Sequence, residues 1–206
     1  MRLKAGRILA LLLAGALIGV PSICAQQNKI VAFGAASPER GSARVGYWDS
    51  GKNTGAGGFF IDYGRPVWKK AYDDPANLDK ITKGVVWRLG SDYWTVLDSN
   101  LPLKISGKDI PPGIWYLGVH RSQDGAEWNL VFIDPASVRA TRLDPSQIDK
   151  APIALRVPLK IEPTDQPAEK LTITLTVPKS NPKESVMRIT WGKLQLAASI
   201  ETSIGN

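Results

Sequence analysis

The sequence predicts an all-β protein, an antiparallel β-sandwich of jelly-roll-like form with one or two short helical turns. Three observations carry this reading. From Ile30 onward the apolar residues recur with period two rather than 3.6, the spacing of pleated strands that lay one face on a core. Turn signals rich in Gly, Pro, Asn and Asp interrupt these runs at hairpin spacing. No stretch keeps a helical period long enough for the crossovers that a parallel sheet requires.

Taken in order, strands are expected near 29–34, 43–48, 57–63, 85–89, 93–98, 102–106, 114–120, 127–133, 155–161, 170–177, 185–191 and 194–201. The alternation is clearest in three of them. Trp115, Leu117 and Val119 alternate with Tyr116, Gly118 and His120, and Trp128, Leu130 and Phe132 alternate with Glu127, Asn129 and Val131. Leu171, Ile173, Leu175 and Val177 alternate with Thr172, Thr174 and Thr176. Turns are read at Ser106-Gly107-Lys108-Asp109, Pro111-Pro112-Gly113, Ser122-Gln123-Asp124-Gly125 and Lys179-Ser180-Asn181-Pro182. Asp134-Pro135 and Asp144-Pro145 each place a capping carboxylate before a proline suited to the first helical position, so a short helical piece is expected at both. Residues 69–83 read as a long loop or one helical turn, and Pro163 to Pro167 as a connecting loop.

The N-terminus reads as a signal peptide. Arg2, Lys4 and Arg7 form a basic segment, and Ile8 to Val20 is almost wholly apolar. As a helix that run spans roughly 20 Å, short of the ~30 Å hydrocarbon core. Pro21 ends it and Ala25 supplies the small residue before the cut, so cleavage after Ala25 and a periplasmic or secreted location are expected. The chain of 206 residues less these 25 leaves 181, read as a single β-sandwich domain over 26–206. A core of that size can bury roughly 70% of the surface its unfolded chain exposes. Three positive charges leave with the leader, which takes the net charge from +7 to +4. With no run of five or more Lys and Arg, that small excess predicts no nucleic-acid partner, and no membrane span is expected after cleavage. Cys24 is the one cysteine, so the mature chain has neither a disulfide nor a thiolate nucleophile.

Between residues 57 and 134 four ordered segments stand out. They are Ile61-Asp62-Tyr63-Gly64-Arg65-Pro66, then Gly84-Val85-Val86-Trp87-Arg88-Leu89-Gly90, then Ile105-Ser106-Gly107-Lys108-Asp109-Ile110-Pro111-Pro112-Gly113-Ile114-Trp115-Tyr116-Leu117, then Glu127-Trp128-Asn129-Leu130-Val131-Phe132. In this order they resemble the bacterial domain-of-unknown-function family numbered 2911, whose members read Y-[GS]-R-P, W-R-x-G, G-x-x-[LI]-P-x-G-x-Y and W-x-x-x-F. The resemblance covers most of the mature chain, through the hairpin around Trp191, and implies an exported chain of this fold without attaching an activity to it. Many members follow W-R-x-G with Ala-Asn-Glu, whereas this chain has Ser91-Asp92-Tyr93. Asp92 therefore stands one residue before the family's acidic position, and Tyr93 occupies it.

The residues leave few chemistries open. His120 is the one imidazole and no G-x-S-x-G elbow is present, which argues against a Ser-His hydrolase. One His and no mature Cys predict no zinc or copper site, and no cofactor is expected. Asp73, Asp74 and Asp79 lack the spacing of a calcium loop. Trp48, Trp68 and Trp94 fall outside the clearest apolar faces and could form a stacking platform for sugars, while Trp87, Trp115, Trp128 and Trp191 read as core. The leading expectation is a non-catalytic binding or envelope-associated module for a small molecule or saccharide, with Arg65, Arg88, Asp92, Tyr93 and His120 as candidate ligand-binding residues. The opposing one is a small hydrolase acting on glycans with Asp62, Asp92 or Asp98 as its carboxylates. Arg65 and Arg88 are both expected near the centre of the fold, at least one of them paired with Asp62, Asp92 or Asp98.

Overall fold

The computed structural model describes residues 39–204; the strand expected at 29–34, the leader and its cleavage site lie outside them. Twelve antiparallel strands form the sheet: β1 (Arg40–Asp49), β2 (Thr54–Gly64), β3 (Val86–Arg88), β4 (Thr95–Ser99), β5 (Leu103–Ile105), β6 (Lys108–Ile110), β7 (Gly113–Arg121), β8 (Trp128–Ile133), β9 (Leu155–Ile161), β10 (Ala168–Thr176), β11 (Glu184–Gly192) and β12 (Leu194–Thr202). The all-β, antiparallel expectation holds. The main path runs β1-β2-β4-β7-β8-β9-β12-β11-β10, so the two halves are one continuous open sheet rather than two separate ones.

The joint between the halves is β9. Leu155 to Leu159 pair with β8, after which Lys160 and Ile161 pair with β12. Pro158, which has no N–H to donate, sits just before the strand changes partner. Phe59, Ile61, Leu117, Leu130 and Phe132 from one half meet Leu171, Ile173, Met187, Leu196 and Ile200 from the other in a single apolar core. The inward sets are those the period-two alternation marks, except that Trp115 and Leu175 are only half-buried and Val177 lies exposed beyond the strand.

Two elements differ from the sequence reading. Ser106 and Gly107 both take positive φ, 45° and 80°, and close a two-residue hairpin. That leaves Lys108–Ile110 free to form β6 where a longer turn was expected. Residues 69–83 hold a 3-10 turn at Lys70–Asp73 and a helix α1 at Pro75–Thr82, whose N-terminus Asp74 caps by accepting from Ala76 N. The two short helical pieces form as expected: α2 at Pro135–Ala140 and a 3-10 segment at Pro145–Lys150, capped by Asp134 and Asp144. They cover the outer face of β7 and β8, where Tyr116, Ile133, Val138 and Ile148 make a second apolar cluster with Trp94. Tyr116 therefore faces a packed layer instead of solvent.

One edge of the sheet is closed by side chains and backbone groups of residues 63–68. The Tyr63 hydroxyl accepts from Ile173 N (2.9 Å) and donates to Ile173 O (3.3 Å). Arg65 Nε donates to Leu171 O, and backbone bonds join Leu171 N to Pro66 O and Trp68 N to Glu169 O. Successive edge groups of β10 thus find partners in residues 63–68 without a regular ladder. Trp191 Nε1 adds a bond to Pro66 O, and Trp68 packs edge-on against both Tyr72 and Trp191 at the same corner, the three ring centroids 5.1–5.4 Å apart.

Candidate functional site

β3 and β4 pair with the same edge of β7 in adjacent registers, Arg88 opposite Gly118 and Thr95 opposite Leu117. Leu89 to Trp94 are therefore an excursion out of what is otherwise one strand. Three contacts hold it. Thr95 Oγ1 donates to Leu89 O across its base. Arg88 Nη1 donates to Asp92 O at 2.9 Å. Gly64 and Gly90 come into backbone contact beside Ser91, so close that a Cβ on Gly64 would lie 2.2 Å from Ser91 O. At its tip Asp92 takes a left-handed φ of 63°.

The excursion forms one wall of a cleft of about 330 Å³, lined also by Tyr116 and by α2 and the segment after it. Trp94 and Tyr116, both buried, stack face to face, with centroids 4.9 Å apart and planes 3° from parallel. Arg139 reaches in from α2, its guanidinium 5.8 Å from the Tyr116 ring centroid and Nη2 donating to the Tyr116 hydroxyl at 3.2 Å. Tyr93 is the exposed phenol of the cleft. Its pKa is raised above the usual tyrosine range, chiefly by the neighbouring Tyr116 hydroxyl. Asp144, also in the lining, has a lowered pKa because the Ser146 hydroxyl and backbone N–H bond to it, with the Arg88 charge adding to the effect. Arg142 completes the rim with φ 53°, an uncommon conformation for a residue without a short polar side chain. The cleft thus combines a fixed aromatic floor, two tyrosine hydroxyls and guanidinium groups at its mouth.

The five candidate residues do not all converge. Arg88, Asp92 and Tyr93 belong to the excursion. Arg65 lies at the β10 edge, paired with Glu39, which Lys170 also contacts. His120 lies further along β7, opposite Val86 and Asn129; burial lowers its pKa, the Arg156 charge adds to that, and Nδ1 has no partner among the described residues. The expected pairing of Arg65 or Arg88 with Asp62, Asp92 or Asp98 does not form. Arg88 meets the carbonyl of Asp92 rather than a carboxylate, and Asp62 is taken by Arg40, a diagonal neighbour across β1 and β2. Arg88→Ala is accordingly expected to cost only about 0.5–1.5 kcal/mol, a midpoint shift of roughly 2–4 °C per kcal/mol read by calorimetry. A far larger fall would mean that Arg88 has a buried charge partner after all.

Of the three loosely placed tryptophans only Trp48 is exposed, at 65%; Trp94 is buried and Trp68 is half-buried. The acidic loop residues have structural partners. Asp73 accepts from Trp68 Nε1, Asp74 caps α1, and Asp79 pairs with Lys83 and Arg121, contacts that lower its pKa. Sequence reasoning missed Arg139, Arg142 and Asp144, whose one signal was the Asp-Pro start of each helical piece.

Fold and site together define an antiparallel β protein with a small tyrosine- and arginine-lined cleft on the outer face of its sheet. Residues 50–200 match the family described as Protein of unknown function (DUF2911), and the chain belongs to that family. Comparison with curated proteins finds no match, and comparison with solved structures finds none. Among the described residues, no helix is long and apolar enough to cross a membrane.

Proposed function

We propose that the protein is an exported, non-catalytic binding module that takes a small anionic or hydroxylated molecule in the cleft between Tyr93, Tyr116 and α2. The observation that carries this is the grouping of Tyr93, Tyr116 and Arg139 around one concave opening, in which the Trp94–Tyr116 stack holds the Tyr116 hydroxyl against the Arg139 guanidinium beside the exposed Tyr93 phenol. Its volume falls at the small end of the ~300–1,000 Å³ usual for ligand sites. Guanidinium groups favour carboxylate or phosphate oxygens, which they can hold in a bidentate manner. Calorimetric titration with citrate, gluconate and inorganic phosphate tests it. At least one should bind, and Arg139→Gln and Tyr93→Phe should each weaken it by about ten- to hundredfold, the worth of a hydrogen bond to a charged group. Binding by none of them, or affinity indifferent to both changes, would overturn the reading.

Export rests on the basic segment, the apolar run and Ala25. Intact mass of the protein recovered from periplasm or medium is expected to begin at Gln26; a retained Met1 would refute it. A glycan hydrolase needs two of Asp62, Asp92 and Asp98 facing one opening. Asp62 is held by Arg40, and Asp98 lines a different groove from the one beside the excursion, so no observation favours that second reading.

A further inference from the structure

The outer face of β1, β2 and β4 holds a second groove, of about 340 Å³, that shares no lining residue with the cleft. Its cross-section is fixed by register. Arg44 on β1 stands opposite Phe60 on β2, and Phe60 stands opposite Asp98 on β4. Directly opposed side chains on one face lie about 4.5–5.5 Å apart, so the Phe60 ring is flanked by a guanidinium on one side and a carboxylate on the other. Neither Arg44 nor Asp98 belongs to an ion pair among the described residues, whereas Arg40 and Asp62, further along the same face, pair directly.

The floor beside this row is backbone. Gly46 faces Gly58 across β1 and β2. Gly58 is required by packing, since a Cβ there would lie 2.5 Å from Val45 O. Gly46 is not: a Cβ there would meet nothing within 4 Å, so its effect is to keep the groove open. Asn100 Oδ1 accepts from Gly58 N (2.8 Å), which anchors the amide and leaves its NH₂ to donate. Along β1 the outward row continues from Arg44 through Gly46 to Trp48, roughly 13 Å further on at strand rise. A register shift between Tyr47 and Trp48 marks a bulge at that point, a device that re-aims side chains.

We propose that this groove binds a neutral oligosaccharide, one ring stacked on Phe60 and the chain running toward Trp48. The apolar C–H face of a sugar matches an exposed aromatic ring. Its hydroxyls both donate and accept, which suits a carboxylate, a guanidinium and an amide around one ring. One charge of each sign leaves no preference for an anion or a cation.

The test is calorimetric titration of the mature protein with cellohexaose, maltohexaose and chitohexaose, alongside three variants. At least one sugar should bind. Phe60→Thr and Gly46→Thr should each weaken that binding by about tenfold or more, and Tyr93→Phe should leave it unchanged. Gly46→Thr fills open space and so separates loss of the groove from loss of the fold, with its melting midpoint as the control. No binding by any of the three at millimolar concentration overturns the proposal. So does binding that survives Gly46→Thr, or that falls with Tyr93→Phe instead.

Discussion

Gly90→Ala is expected to be among the most destabilising single-methyl additions to this protein. Gly90 has a φ of 117°, a region L side chains rarely adopt, and a Cβ there would sit 2.8 Å from Gly64 O and 3.1 Å from both Gly64 N and Thr95 Oγ1. Backbone strain alone costs about 1–3 kcal/mol, and here backbone rather than a flexible side chain would have to move. A total near 3 kcal/mol or more is expected, lowering the midpoint by roughly 2–4 °C for each kcal/mol. The same variant should displace the Leu89–Trp94 excursion and with it Tyr93, so cleft binding should weaken even well below the melting transition. An unchanged midpoint would show that the two glycines are not in contact.

Tyr63→Phe is the second large effect. The phenol is buried and its hydroxyl serves both Ile173 N and Ile173 O. Removing one oxygen leaves a buried donor and a buried acceptor unpaired at once, at about 1–3 kcal/mol for each group so exposed to desolvation. Calorimetry should register the loss of stability, and hydrogen exchange should show the Ile173 amide opening faster. Unaltered protection at Ile173 would count against the hydroxyl as the closing group. Gly41 belongs to this arrangement, because a Cβ there would lie 2.7 Å from the Tyr63 ring.

Both positions fall in segments that carried the family resemblance, and their roles here are architectural. Tyr63, Gly64, Arg65 and Pro66 close the β10 edge, and Gly90 lets the excursion pass against Gly64. Most strands could be read from sequence because each alternates within itself and turns locally. β6 could not, since Lys108–Ile110 offers one inward residue, Ile110, and its hairpin depends on Ser106 accepting a positive φ. Asp74-Pro75 carries the same cap signal as Asp134-Pro135 and Asp144-Pro145, but α1 is short and weakly amphipathic, so its residues resembled a loop. The cleft was half legible. Arg88, Asp92 and Tyr93 are neighbours in sequence, whereas Arg139 reaches Tyr116 only because α2 packs on the outer face of β7. A charged side chain on a six-residue helix has no periodicity to distinguish it from a solvated one. The partner of Arg65 was hidden for a similar reason: Glu39 lies before the first strand, and Leu171 and Thr172 lie more than a hundred residues away.

That distance gives the Tyr63–Ile173 contact a meaning for how the chain assembles. It joins residues 110 positions apart, while every hairpin beside it closes over a short loop. Loop entropy makes it one of the costliest contacts to form, and topology of this kind slows folding. A chain with all its hairpins made and this contact still open would present bare N–H and C=O groups along β10, a template for strand addition by a neighbouring molecule. The phenol and guanidinium that complete the fold, with the backbone of Pro66 and Trp68, also withdraw that template from a neighbouring molecule.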